Sequence, residues 1–159
     1  MSVLEIDLKN KENLENDDFK EFADLTKDWY KEASKELNDD VKYAKFCKLY
    51  LVKNDSDEII GGVIISNIQN EKYDNIESKE YNKFLELTEK GYDYLMWFYV
   101  KKEYRKQGVG NELMNHVLEK HPKLSLETEN DSLVKHYNKF GFKELIRNYN
   151  KENLIFMIN

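Results

Sequence analysis

The sequence predicts an α/β domain, a mixed β-sheet with helices on its faces. Three observations lead there. Short runs that alternate or are rich in β-branched and aromatic residues recur along the chain, separated by segments with apolar residues at helical spacing. From Tyr94 to Leu118 a strand, a basic glycine turn and an amphipathic helix follow one another directly. The last two β-rich runs are adjacent, so the sheet cannot be purely parallel.

Taken in order, Val3 to Leu8 alternates Val3, Glu5 and Asp7 against Leu4, Ile6 and Leu8, as an outer strand does. Asp17 or Asp18 is placed to cap a helix, with Glu21 at capping-box spacing from Asp18. Phe22, Leu25, Trp29, Ala33 and Leu37 then mark one helical face. Residues 44–53 and 59–68 are β-rich and flank the turn Asn54-Asp55-Ser56-Asp57, which predicts a hairpin. Gly61-Gly62 inside its second strand predicts a bulge or a close backbone approach. Residues 69–91 are polar, with Tyr81, Phe84, Leu85 and Thr88 loosely helical, and read as a loop followed by a short helix.

Tyr94 to Val100 is aromatic-rich and suits a buried strand, while Val109, Leu113, Met114, Val117 and Leu118 repeat as a helix does. Pro122 stops that helix, and Leu124 to Thr128 reads as a strand. Asn130 or Asp131 caps a helix carrying Leu133, Val134, Tyr137 and Phe140, which Gly141 ends in a left-handed conformation. Phe142 to Ile146 and Leu154 to Ile158 form a last strand pair joined by the polar turn 148–153.

Composition bounds the rest. With 159 residues, 40% apolar and 35% charged, one folded domain over 1–159 is expected, and disorder is excluded. No run reaches the length of a membrane span, and the sequence MSVLEIDLKNKEN lacks a signal-peptide core, so a cytoplasmic protein with no membrane partner is expected. A single cysteine, Cys47, excludes an internal disulfide framework. The net charge of −6 and the scattered lysines and arginines argue against nucleic acid as a partner. His116, His121 and His136 show no cluster of carboxylate or cysteine partners, so no metal site is expected.

The turn Arg105-Lys106-Gln107-Gly108-Val109-Gly110 opens a helix, whose first N–H groups lack intrahelical acceptors and favour an anion. A Walker loop is excluded, because Gly-x-x-x-x-Gly-Lys-Ser/Thr is absent. A dinucleotide fingerprint fails at the third glycine, where Leu113 stands. A glycine turn that only starts a helix stays open on these residues alone.

Arg105, Gly108 and Gly110 directly follow a strand ending in Val100, and Leu126-Glu127-Thr128, Tyr137 and Gly141-Phe142 follow downstream. In these two motifs the chain resembles the GNAT superfamily of acyl-CoA-dependent N-acetyltransferases. The likeness spans roughly residues 92–158 by motif, and the first half by element order. LSLETENDSLVKHYNKFGF is similar to small-molecule members of the puromycin N-acetyltransferase type. Those carry asparagine four residues before the tyrosine, where Leu133 stands; Asn130, seven before it, matches other members.

The resemblance implies the GNAT fold, a mixed, mostly antiparallel sheet flanked by helices and splayed at the acyl-CoA site. It implies acetyl-CoA as co-substrate, with the pyrophosphate on backbone N–H groups of Lys106, Gln107, Gly108, Val109, Gly110 and Asn111, near Arg105 and Asn130. The pantetheine arm would pair with Phe98, Tyr99 and Val100, whose backbone would also polarise the thioester carbonyl. Tyr137 falls where the family has its general acid, in contact with the cofactor, and Glu127 at a carboxylate position that serves as base in parts of the family. Another carboxylate position lies near Tyr94, with Asp93 adjacent, and a water chain is a further alternative for the base.

The expected activity is acetyl transfer from acetyl-CoA to the primary amine of a small molecule by direct attack. A protein N-terminus or lysine as acceptor, and an acyl-CoA sensor without turnover, are the alternatives. Cys47 is expected to be buried and inert rather than a covalent nucleophile. Trp29, Tyr30, Tyr73, Tyr81, Tyr92 and Tyr94 are candidates to line an acceptor pocket. A monomer or homodimer is expected.

Overall fold

In order, the chain forms β1 (Val3–Asp7), α1 (Lys11–Leu14), α2 (Asp17–Leu25), α3 (Ala33–Tyr43), β2 (Cys47–Lys53), β3 (Ile59–Asn67), α4 (Ser78–Glu89) and β4 (Asp93–Val100). It continues through α5 (Val109–Lys120), β5 (Leu124–Thr128), α6 (Asp131–Asn138), β6 (Lys143–Arg147) and β7 (Ile155–Ile158). This computed structural model describes residues 2–9, 11–67, 78–148 and 154–159.

The strands make one sheet in the order β1-β2-β3-β4-β5-β7-β6. Every neighbouring pair is antiparallel except β4 with β5. The insertion of β7 between β5 and β6 is what the sequence order alone did not indicate.

α2 and α3 cover one face, packing Phe22, Ala33, Leu37 and Val41 on Leu49, Leu51, Ile64, Trp97 and Tyr99. α5 and α6 cover the other, packing Val109, Leu113, Val117 and Tyr137 on Tyr50, Val63, Ile65, Leu126 and Met157. α4 adds Phe84 and Leu87 against Tyr94 and Phe156. Burial of these apolar faces, at about 25 cal/mol per Å², is the main stabilising term.

The two central glycines of β3 are pressed by helices from both sides. A Cβ at Gly62 would lie 2.6 Å from Phe22 Cε2, and one at Gly61 would lie 3.1 Å from Val109 Cγ1. The expected close approach is therefore present, and a register shift lies next to it, where Val52 pairs with Gly61 and Lys53 with Ile59.

Two expectations for the first helix are corrected. Its N-cap is Asn16, whose Oδ1 accepts from the N–H groups of Asp18 (2.8 Å) and Phe19 (3.3 Å), rather than Asp17 or Asp18. The face expected to run from Phe22 to Leu37 belongs to two helices. Thr26 turns its hydroxyl back onto the Ala23 carbonyl at 2.7 Å, the chain tightens into a 3₁₀ turn over Thr26–Asp28, and helix resumes at Ala33. Trp29 therefore leaves the core face and is 51% exposed. The expected hairpin forms, with its first strand beginning at Cys47. Tyr73, the first part of the loop expected from residue 69, and residues 149–153 of the expected turn lie outside the described residues, as does the side chain of Tyr81.

Candidate active site

β4 is paired with β5 over three residues only, from Asp93 with Leu124 to Leu95 with Leu126. Met96 is an extra residue against β3, since Ile65 faces Leu95 and Ile64 faces Trp97. Such a bulge bends a strand and raises its twist. Beyond it, Trp97 to Val100 keep β3 on one side but have no strand pairing toward β5. The sheet is splayed there.

The bulge also resets which side chains share a face. Trp97 and Tyr99 join the α2/α3 cluster, whereas Phe98 and Val100 pack on the α5/α6 side. On that second side an open cleft of about 670 Å³ is lined by Phe98, Val100, Arg105, Lys106, Gly108, Gly110 and Asn111, with Ser132, Leu133 and His136 of α6 opposite.

The loop between β4 and α5 is shaped for an anion. Arg105 Nε donates to the Val100 carbonyl at 2.9 Å, tying the loop to the strand. Lys106 (φ 63°) and Gly108 (φ 92°) are left-handed, a conformation glycine adopts freely and lysine at a cost. Gly108 is the N-cap of α5 and supplies no side-chain cap. The first intrahelical bond runs from Glu112 N to Gly108 O at 3.0 Å, so the amides of Val109, Gly110 and Asn111 have no helical acceptor.

The remaining expected residues are placed as follows. The Tyr99 side chain lies on the α2/α3 side, donating from Oη to Asp28 Oδ2 at 3.1 Å. Gln107 is exposed and donates to the Glu103 carbonyl at 2.6 Å. Val109 is buried core. Asn130 caps α6 through Oδ1, accepting from Leu133 N at 3.0 Å. None of their side chains lines the cleft.

Tyr137 follows the cleft residue His136 but turns its ring into the core, edge-on to Phe142 with centroids 5.9 Å apart. Burial pushes its phenol up to about 12. Burial, and then the Lys139 charge, lower the His136 imidazole below its usual value. Glu127 sits across the sheet from Tyr137. Its cross-strand partner is Phe156, of the α4 cluster, and it accepts from Tyr94 Oη at 3.0 Å.

Asp93 stands apart from the splay, at the paired start of β4. Its Oδ2 is 2.6 Å from His121 Nδ1, and His121 Nε2 is 2.8 Å from Tyr50 Oη. His121 thus has a single carboxylate partner. A residue 28 positions away supplied it, which spacing could not reveal. Among the described residues no group of three or more His, Cys, Asp or Glu is placed to hold a metal ion. Cys47 is fully buried, and burial pushes its thiol up to about 12.

Three cleft residues carry no functional signal in the sequence. Ser132 belongs to no motif, Leu133 reads as helix packing, and His136 has no metal-ligand cluster around it; only the orientation of α6 brings them to the cleft.

The model of the acetyltransferase (GNAT) family matches residues 12–142. The chain belongs to the GNAT acetyltransferase family. It is an acyltransferase, and acetyl-CoA is its co-substrate. The fold is shared with solved structures of low identity. One is described as histone acetyltransferase HPA2 and related acetyltransferase from Corynebacterium glutamicum, with a TM-score of 0.65, 17% identity, and coverage of 99% of this chain and 96% of that one. An aminoglycoside 6'-N-acetyltransferase complexed with coenzyme A gives 0.62 at 14% identity over 100% and 96%. Ard1 from Thermoplasma volcanium gives 0.61 at 17% over 99% and 94%. No curated protein matches the chain by sequence. No helix among the described residues is long and apolar enough to cross a membrane.

Proposed function

We propose that this GNAT acetyltransferase moves the acetyl group of acetyl-CoA to the primary amine of a small molecule by direct attack. The observation that carries the reading is the splay of β4 from β5 beside the uncapped start of α5. The uncapped amides of Val109, Gly110 and Asn111 suit a diphosphate, which needs N–H donors and a close backbone more than particular side chains. Arg105 and Lys106 add positive charge at the mouth. The strand edge from Met96 to Val100 offers backbone partners to an extended arm and an N–H to a thioester carbonyl.

In the transfer the amine nitrogen bonds to the acetyl carbon, the carbon–sulfur bond breaks, and the sulfur takes a proton while the nitrogen gives one up. Tyr137 is assigned the first proton. Its buried phenol stays protonated throughout the neutral range, as a donor must. Glu127, on the opposite face with Tyr94, is assigned to the second. The choice of a small amine draws support from the aminoglycoside 6'-N-acetyltransferase that shares the fold.

The test is thiol release from acetyl-CoA across a panel of small amines and peptides. Turnover with small amines and little with peptides is expected; turnover restricted to peptides, or none, overturns the reading.

A further inference from the structure

Behind the donor cleft, across β4, lies a surface that the transfer chemistry does not use. Among the described residues, Trp29 and Tyr30 are the only exposed large apolar side chains that adjoin, at 51% and 39%; Leu4, Tyr43 and Leu133 are scattered. Trp29 stands edge-on to the buried Trp97 at 5.8 Å and 85°, and to Tyr30 at 5.9 Å and 71°. Tyr30 lies roughly parallel to Trp97 at 6.5 Å.

Carboxylates surround these rings. Trp97 Nε1 donates to Asp40 Oδ2 at 3.0 Å, Tyr30 Oη to Glu36 Oε2 at 2.6 Å, and Tyr99 Oη brings Asp28 to 3.1 Å. Among the described residues neither Asp28 nor Glu36 forms an ion pair. The Tyr30 phenol is pushed far up, by burial first, then by its bond to Glu36, and by the charges of Asp40 and Glu129. Glu129 directly follows β5 in the chain. Fixed ring faces with negative charge around them are the chemistry that holds an organic cation.

Such a site favours the charged form of an amine, and a charged amine cannot attack a thioester. The group bound on the rings is therefore a different one from the nucleophile. We propose that Trp29, Tyr30 and Trp97, with Asp28, Glu36 and Asp40, bind a second, cationic centre of the acceptor, so that the acceptor class is a diamine or polyamine. As an acceptor class this rests on the small-amine reading above; as a cation site it does not.

Both tryptophans of the chain lie in the cluster, so intrinsic tryptophan fluorescence reports on it alone. The experiment titrates the protein with a linear bis-quaternary alkyldiammonium, which has no N–H to acetylate, and in parallel measures acetylation of an α,ω-diamine and of the monoamine of equal length. A saturable fluorescence change is expected, with Kd raised about fivefold or more by Glu36→Gln and by Tyr30→Leu. The diamine is expected to exceed the monoamine about tenfold in kcat/KM, through KM, with both variants removing that advantage and sparing the monoamine and the KM for acetyl-CoA.

No saturable change, or a change the variants leave intact, overturns the cation site. Saturable binding with equal use of diamine and monoamine, or with turnover of neither, overturns the acceptor class and leaves the cation site standing.

Discussion

The two ends of β4 are held in opposite ways. At Asp93 to Leu95 the strand is paired on both sides, and its polar groups are engaged. Asp93 meets His121, Tyr94 meets Glu127, and Ser125 Oγ donates to the Asp93 carbonyl at 3.0 Å. From Met96 to Val100 the same strand gives up one neighbour and leaves backbone and cleft accessible. An opening of this kind costs unpaired backbone groups, which is tolerable where water or a ligand meets them and the clamp next to it is firm. The comparison teaches that openness and rigidity are divided along one strand.

Four perturbations test that division. The largest effect is expected at the open end. Gly108→Glu puts a charged side chain on the left-handed residue that caps α5 and should abolish the rise in Tm that acetyl-CoA produces. That rise is worth about 2.7 kcal/mol at a hundredfold excess over Kd. An undiminished shift would remove the loop from the cofactor site. Next, Tyr137→Phe should lower kcat on the order of 100-fold with the KM for acetyl-CoA little changed; unchanged kcat would strip the tyrosine of its role as acid.

At the closed end the currency is stability. His121→Ala leaves Tyr50 Oη and Asp93 without the imidazole and should cost about 1–3 kcal/mol in chemical denaturation, with the acetyl-CoA Kd held. A loss of cofactor affinity at unaltered stability would mean that the two ends are not separate. The smallest effect concerns His136. Because burial lowers its folded pKa below the unfolded one, the unfolded chain binds the extra proton first. The contribution to stability is present above the ordinary histidine pKa and is lost as pH falls from there through the lowered folded value. The fall in Tm between pH 7.5 and 5.5 should therefore shrink in His136→Asn, and an identical fall in both proteins would count against the burial.

Much of this arrangement is legible in the sequence because it is local. Gly141 announces a left-handed helix end, Asn130 a cap, and the run from Tyr94 to Val100 a buried strand, each through its own backbone preferences. The family motif added the order of parts at the donor site. What stayed hidden depends on contacts distant in sequence. The Asp93–His121–Tyr50 chain joins three elements. The exposure of Trp29 follows from the Thr26 hydroxyl turning back on α2, where spacing alone predicted an uninterrupted helix. The insertion of β7 beside β5 is a choice of topology that the composition of neither strand records.

Met96 gives β4 a phase, with a consequence of its own. A strand alternates with period two, so one added residue inverts the parity of everything after it. Trp97 and Tyr99 come to α2 and α3, and Phe98 and Val100 to α5, because the count from Leu95 is odd by that one residue. Absorbing Met96 into regular pairing would restore unbroken alternation and turn the next four side chains over, sending the ring of Trp97 toward α5 and that of Phe98 toward α2 and α3. The sidedness of the enzyme is held in a single insertion.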